Sequence, residues 1–230
     1  EALLTRAKNA VLEKLNGEDE DRAAATGRLK ELLHSIDTLW EQTSLLRRVV
    51  QGHVDSVAAA GRASTDLSRS VRSLHHSSNF DEALELFESG RLTEVAARDK
   101  VIAAGSHFVS DLLALQEGQL KNTKGLILRC CQSELEIHRV GEQLAAASGE
   151  GHMDVSGVDA LRTKLASLKE EHEPLVASAA EALEVVTREL HQVLSTGLPL
   201  FVRAESIAAQ DSHAALNSMT EPLAAATPAS

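Results

Sequence analysis

The chain has 230 residues, 43% of them hydrophobic but only 2% aromatic, with no tyrosine. That is the composition of long helices rich in Ala, Leu, Glu and Ser, and it argues against a compact α/β fold. The formal net charge of −11 disfavours nucleic acid as a partner unless basic side chains gather on one face, and it opposes purely electrostatic attachment to anionic lipid. No run reaches the roughly 18 uncharged apolar residues of a membrane span, and no signal-peptide pattern opens the chain. Cys130 and Cys131 are adjacent, which suits neither an ordinary disulfide nor a spaced zinc site, so a reducing, cytoplasmic setting is predicted.

The first candidate element is an amphipathic helix within residues 1–17. At about 100° per residue, Leu3, Leu4, Ala7, Ala10, Val11 and Leu15 cluster on one side, flanked by Lys8 and Lys14. An apolar centre with flanking lysines suits a helix lying in a lipid interface, because the stems stay apolar while the ammonium groups reach headgroups. The same periodicity fits a few first turns packed on a bundle.

From Leu29, positions spaced by three and four run through Leu32, Ile36, Leu39, Thr43, Leu46, Val50, His53, Val57, Ala60, Ser64, Leu67, Val71 and Leu74. This heptad seam predicts a helix over about 20–77, near 85 Å long at about 1.5 Å per residue, which cannot bury its stripe alone. Thr43, Ala60 and Ser64 admit close neighbours and favour a multi-helix bundle over a two-stranded coiled coil. His53 is read as a hydrogen-bonded packing residue.

His75-His76-Ser77-Ser78-Asn79 breaks the pattern. Ser78 or Asn79 then serves as N-cap, with Asp81 and Glu82 placed to complete a capping box, for a second helix over about 80–148. Its stripe includes Leu84, Phe87, Ile102, Leu112, Leu120 and Ile127, with Gly90 and Gly105 as weak points or bends. Residues 149–154 form the clearest loop. A third helix over about 156–219 opens at Ser156 and Asp159, and its seam runs Leu161, Leu165, Leu168, His172, Leu175 and on to Val193. Pro174 and Pro199 inside it are expected kinks, because each removes a hydrogen bond and crowds the preceding turn.

The helical domain thus spans 18–220, and residues 221–230 read as a tail or linker. With no initial Met, the chain reads as a piece of a longer protein. It lacks the internal repeat of tandem spectrin-like units. There is no phosphate-cradling Gly loop, nucleophile elbow or zincin motif, so no enzyme, catalytic residue, cofactor or metal is assigned. Glu134, His138 and Glu142 share a helix face at four-residue spacing, but one such row reads as solvated side chains rather than a metal site.

Residues Leu4 to Gly17, followed by an acidic stretch, resemble the N-terminal helix of amphiphysin-type N-BAR domains. Glu134-Leu135-Glu136 with Arg139 is similar to that family's acidic-aromatic-acidic motif near the end of the second helix. Leu198-Pro199 is similar to its Leu-Pro pair, and Ala208-Ala209-Gln210-Asp211-Ser212-His213 resembles the closing segment of BAR domains. The likeness covers nearly the whole chain in element order and length.

The resemblance implies an all-α fold of three long, kinked, antiparallel helices, paired as a crescent-shaped antiparallel homodimer. It implies a curvature-sensing or curvature-generating module in membrane trafficking or endocytosis, peripheral on plasma-membrane or endosomal surfaces that are anionic or contain phosphoinositide. Carried over by position, the membrane-binding residues are Lys8, Lys14, Lys121, Lys124, Arg129, Arg139, Arg162, Lys164 and Lys169, and the inserting residues are Leu4, Ala7, Val11 and Leu15. The sequence departs from the family in the segment before the acidic motif, where Lys124-Gly125-Leu126-Ile127-Leu128-Arg129 replaces a dense basic run. Each lipid-facing basic residue contributes on the order of 1 kcal/mol, and Glu134, Glu136, Glu142, Glu150 and Asp159 lie close by in sequence. Weak or lipid-selective binding is the expectation. The alternative is a membrane-independent scaffold, or a BAR-like dimer for a protein partner such as a small GTPase.

Overall fold

The computed structural model describes residues 20–73, 81–149 and 155–225. The predicted N-terminal helix, the break at 75–79, residues 150–154 of the loop and the last five residues lie outside them. Among the described residues every element is helical. Helix α1 spans Glu20–Ser73, α2 Asp81–Leu115, and α3 Lys121–Gly149, with a π-helical turn Gln116–Leu120 between α2 and α3. Helix α4 runs Val155–Ala225, 71 residues, without interruption at Pro174 or Pro199. Near the first proline, Ser178 Oγ donates to the carbonyl of Pro174 at 2.8 Å. No described helix is long and apolar enough to cross a membrane.

Long helices follow from the sequence because strong helix formers fill it and no proline falls within α1 to α3. Their stability comes from burying the apolar stripes, about 1.5–3 kcal/mol for each fully buried large side chain. The chain forms two compact units: Glu1–Gln42 with Leu115–Glu189, and Thr43–Ala114 with Leu190–Ser230.

In the first unit, Asp37 of α1 pairs with Lys124 of α3, and Glu136 and Glu134 of α3 meet Lys164 and His172 of α4. Numbers fall on α3 as they rise on α4, so these helices are antiparallel. Leu29, Ile36, Ile127, Val140, Ala179 and Val186 are fully buried in this unit. Cys130 and Cys131 are buried and free there. Burial pushes both thiols up, Cys131 to about 12 with Cys130 and Glu134 adding to the effect, so neither is a reactive thiolate.

The second unit explains two departures from the sequence reading. Gly90 and Gly105 lie within the continuous helix α2 and are points of close packing. A Cβ at Gly90 would lie 2.6 Å from Met219 Sδ, and one at Gly105 would lie 2.4 Å from Val54 Cγ2 and 3.0 Å from the Phe201 ring. Gly197 likewise leaves room for Phe108, which would be 2.3 Å from a Cβ there. The interruption of the second helix falls instead at Gln116–Leu120.

The seam of α1 also shifts. Val54 is 4% exposed, whereas the predicted seam residue Leu67 is 47% exposed and the His53 side chain is 46% exposed. A straight helix drifts about 20° per heptad against a 3.5-residue repeat, so after several heptads the next residue along turns inward. His53 reaches the surface, where its Nε2 meets a Glu205 carboxylate oxygen and its ring meets Phe201 edge-on.

Candidate functional site

The basic residues carried over from the sequence fall on α3 and α4 of the first unit, except Lys8 and Lys14. Those two, with Leu4, Ala7, Val11 and Leu15, lie outside the described residues. Helix α3 presents Lys121, Gly125, Arg129, Gln132 and Arg139 along one exposed stripe, because steps of three, four or seven residues return to the same side of a helix. Lys121 lies 3.2 Å from Glu117 and Arg139 lies 2.9 Å from Glu136. Arg129 is exposed and has no ion pair among the described residues.

Lys124 sits roughly 60° off this stripe and is turned toward α1. Its Nζ lies 2.9 Å from Asp37 and 5.5 Å from the centre of the Trp40 ring, and its side chain is only 25% exposed. That charge holds two helices together.

On α4 the three basic residues divide. Lys164 reaches α3, its Nζ 3.0 Å from Glu136. Arg162 and Lys169 lie on the opposite flank of the apolar stripe, Arg162 with Asp159 at 3.3 Å. Glu136 therefore stands between Arg139 and Lys164. Their hydrogen bonds, Arg139 first, hold its carboxyl below the usual range. The same contact raises Arg139.

Glu134 does not join this surface. It is buried, and its Oε2 lies 3.2 Å from His172 Nε2. His138 pairs with Glu142 at 3.1 Å, so the row of Glu134, His138 and Glu142 is split between partners. Among the described residues no cluster of three or more metal-ligating side chains occurs.

No family model matches the sequence, and no curated protein matches it. Among solved structures, the amphiphysin BAR domain from Drosophila aligns over 93% of this chain and 100% of its own, with a TM-score of 0.73 at 13% identity. The fold is that of a BAR domain. The N-terminal I-BAR domain of D. discoideum IBARa aligns over 84% of this chain and 88% of its own, with TM-score 0.48 and 12% identity. A BAR protein from Galdieria sulphuraria aligns over 85% and 97%, with TM-score 0.45 and 11% identity.

Within this BAR fold one concentration of exposed apolar side chains escaped the sequence reading. Of the large hydrophobic side chains exposed among the described residues, all but Val155 belong to the second unit. They include Leu45 and Val49 of α1, and Leu198, Val202 and Leu216 of α4; Leu92 of α2 instead lines a depression between α1 and α2. An apolar stripe in sequence does not say whether it packs inside one chain or remains open. Monomeric soluble proteins rarely leave so many apolar side chains uncovered in one region.

Proposed function

We propose that the chain is a dimeric, non-enzymatic BAR module that associates with curved membrane and acts in trafficking or endocytosis. The observation that carries this reading is the match of nearly the whole chain to the BAR fold. The exposed apolar side chains of the second unit support the homodimer, since a second copy would cover the face of α4 that carries Leu198, Val202 and Leu216. The lipid-facing set is Lys121, Arg129, Arg139 and Lys164, with Lys8, Lys14 and the inserting residues Leu4, Ala7, Val11 and Leu15 adding attachment at the N-terminal segment.

Binding through this set is weak or lipid-selective, because Glu117 and Glu136 already sit against three of its four α3 and α4 cations. The same neutralisation, with the net charge of −11, favours the second reading, a scaffold that binds a protein partner without membrane. Co-sedimentation with anionic vesicles at low salt separates the two. Pelleting that fades as salt rises supports the membrane module, because surface charge attraction is screened. A chain that stays in the supernatant at low salt refutes it.

A further inference from the structure

In the second unit α1 and α2 enclose two adjoining depressions of about 480 and 230 Å³, which share Thr65, Arg69 and Val95. Ala58, Val95 and Ile102 contribute apolar lining. The sides carry five arginines: Arg62, Arg69 and Arg72 from α1, and Arg91 and Arg98 from α2. Such a concentration is unexpected in a chain of net charge −11.

Four carboxylates accompany the arginines, and they are unequal. Glu94 is buried with both oxygens occupied: Oε1 accepts from Arg98 Nη2, and Oε2 accepts from Arg91 Nη1 at 2.7 Å and Ser64 Oγ at 3.1 Å. Asp66 and Arg69 form an exposed pair at 3.3 Å, and Glu88 lies 3.4 Å from Arg72. Asp99 lines the larger depression, as does Arg62, which has no ion pair among the described residues. Glu94 fixes Arg91 and Arg98 in place, yet Arg91 Nε and Arg98 Nη1 are buried without an acceptor. Those two nitrogens are closed to solvent, so the guanidinium groups open to the groove are those of Arg62, Arg69 and Arg72.

Ser64 stands level with Glu94 on antiparallel helices. Arg62 and Arg69, seven residues apart, share one face of α1 roughly 10 Å from each other with Arg72 beside Arg69, while Arg91 and Arg98 converge on Glu94. We propose that this groove binds an anion carrying at least two phosphate groups, either on a lipid headgroup or free in solution. Guanidinium forks match the acceptor-only oxygens of phosphate, the separation of Arg62 from Arg69 and Arg72 matches two phosphates, and the apolar lining receives the scaffold between them. The groove lies within one unit of one chain, so the proposal does not rest on the membrane role.

The test is calorimetric titration of the full chain with inositol hexakisphosphate, alongside an Arg62→Gln/Arg69→Gln variant. Both side chains are exposed and outside the Glu94 network, and circular dichroism checks that helicity is kept. An Arg48→Gln/Arg203→Gln variant removes equal charge from exposed positions of the same unit away from the groove. The expected result is measurable binding that weakens about tenfold or more in the groove variant and is retained in the control. Absence of binding to the native chain, or equal weakening in both variants, overturns the proposal. Pelleting on phosphatidylinositol bisphosphate vesicles, against phosphatidylserine vesicles of matched charge, then distinguishes the sources. A selective loss in the groove variant identifies a headgroup, and a loss confined to the soluble probe identifies a free polyphosphate. If no vesicles pellet the native chain while the soluble probe binds in the groove, the membrane reading fails and this one stands.

Discussion

Replacing Leu198, Val202 and Leu216 together with serine strips the apolar side chains from one face of α4, since the three lie within about 40° of one another around the helix. Their exposures in the single chain are 40%, 56% and 43%. Full burial of such a side chain is worth about 1.5–3 kcal/mol, so covering the exposed half contributes about 1 kcal/mol. A two-fold interface uses each residue twice. Six side chains then give about 6 kcal/mol, or roughly a 10,000-fold rise in the dimer dissociation constant on substitution. Sedimentation equilibrium measures that constant directly. Helicity by circular dichroism stays near the native value, because exposed serine costs a helix only about half a kcal/mol per site. An unchanged dissociation constant would show that this face is not covered. A native chain that is monomeric at micromolar concentration would refute the dimer altogether.

Lys124→Gln lowers stability by about 1–2 kcal/mol through loss of a part-buried pair with Asp37, read from urea unfolding followed on Trp40, and leaves vesicle affinity near native. Arg129→Glu with Arg139→Glu has the opposite profile, weakening vesicle binding by about 2 kcal/mol or more, roughly 30-fold; equal losses in the two variants would show that the lipid-facing stripe is misplaced. Glu94→Gln removes the carboxylate between Arg91 and Arg98, whose side chains are 20% and 24% exposed. Allowing for that partial solvation, the cost is about 2–3 kcal/mol in guanidinium unfolding, and a negligible change would mean the network carries no stability. Arg139 and Lys164 hold the Glu136 carboxyl below its ordinary value of 4.5, so its contribution to stability is complete above the unfolded value and is lost as pH falls through the folded one. NMR titration should place its midpoint below 4.5, and Arg139→Ala should move that midpoint up.

The long helices are legible in the sequence because an apolar repeat sustained over so many turns fits only a long helix, and residues such as Leu29, Ile36 and Val50 are buried as the pattern requires. Register is legible only locally. The shift from His53 to Val54 reflects the difference between 3.5 and 3.6 residues per turn, which grows along a helix. Gly90 and Gly105 read as bends because a glycine's sequence neighbours say nothing about the Met219 or Val54 and Phe201 side chains that need its empty space. The surface charges pose the same difficulty. Lys124 and Glu134 look like surface ions in sequence, but Asp37 and His172, each on another helix, draw them inward. The π-helical turn at Gln116–Leu120 has no local signal beyond Gly118. The exposed apolar side chains of the second unit escape a reading of the seam because sequence periodicity does not separate a stripe buried within one chain from a stripe awaiting a second.

Binding to vesicles of one anionic composition, prepared at a series of diameters, tests the membrane role most directly. A dimeric BAR module predicts a bound fraction that rises as diameter falls, and that loses this dependence when Leu198, Val202 and Leu216 are replaced by serine. Equal binding at every diameter, or no binding at any of them, would contradict it.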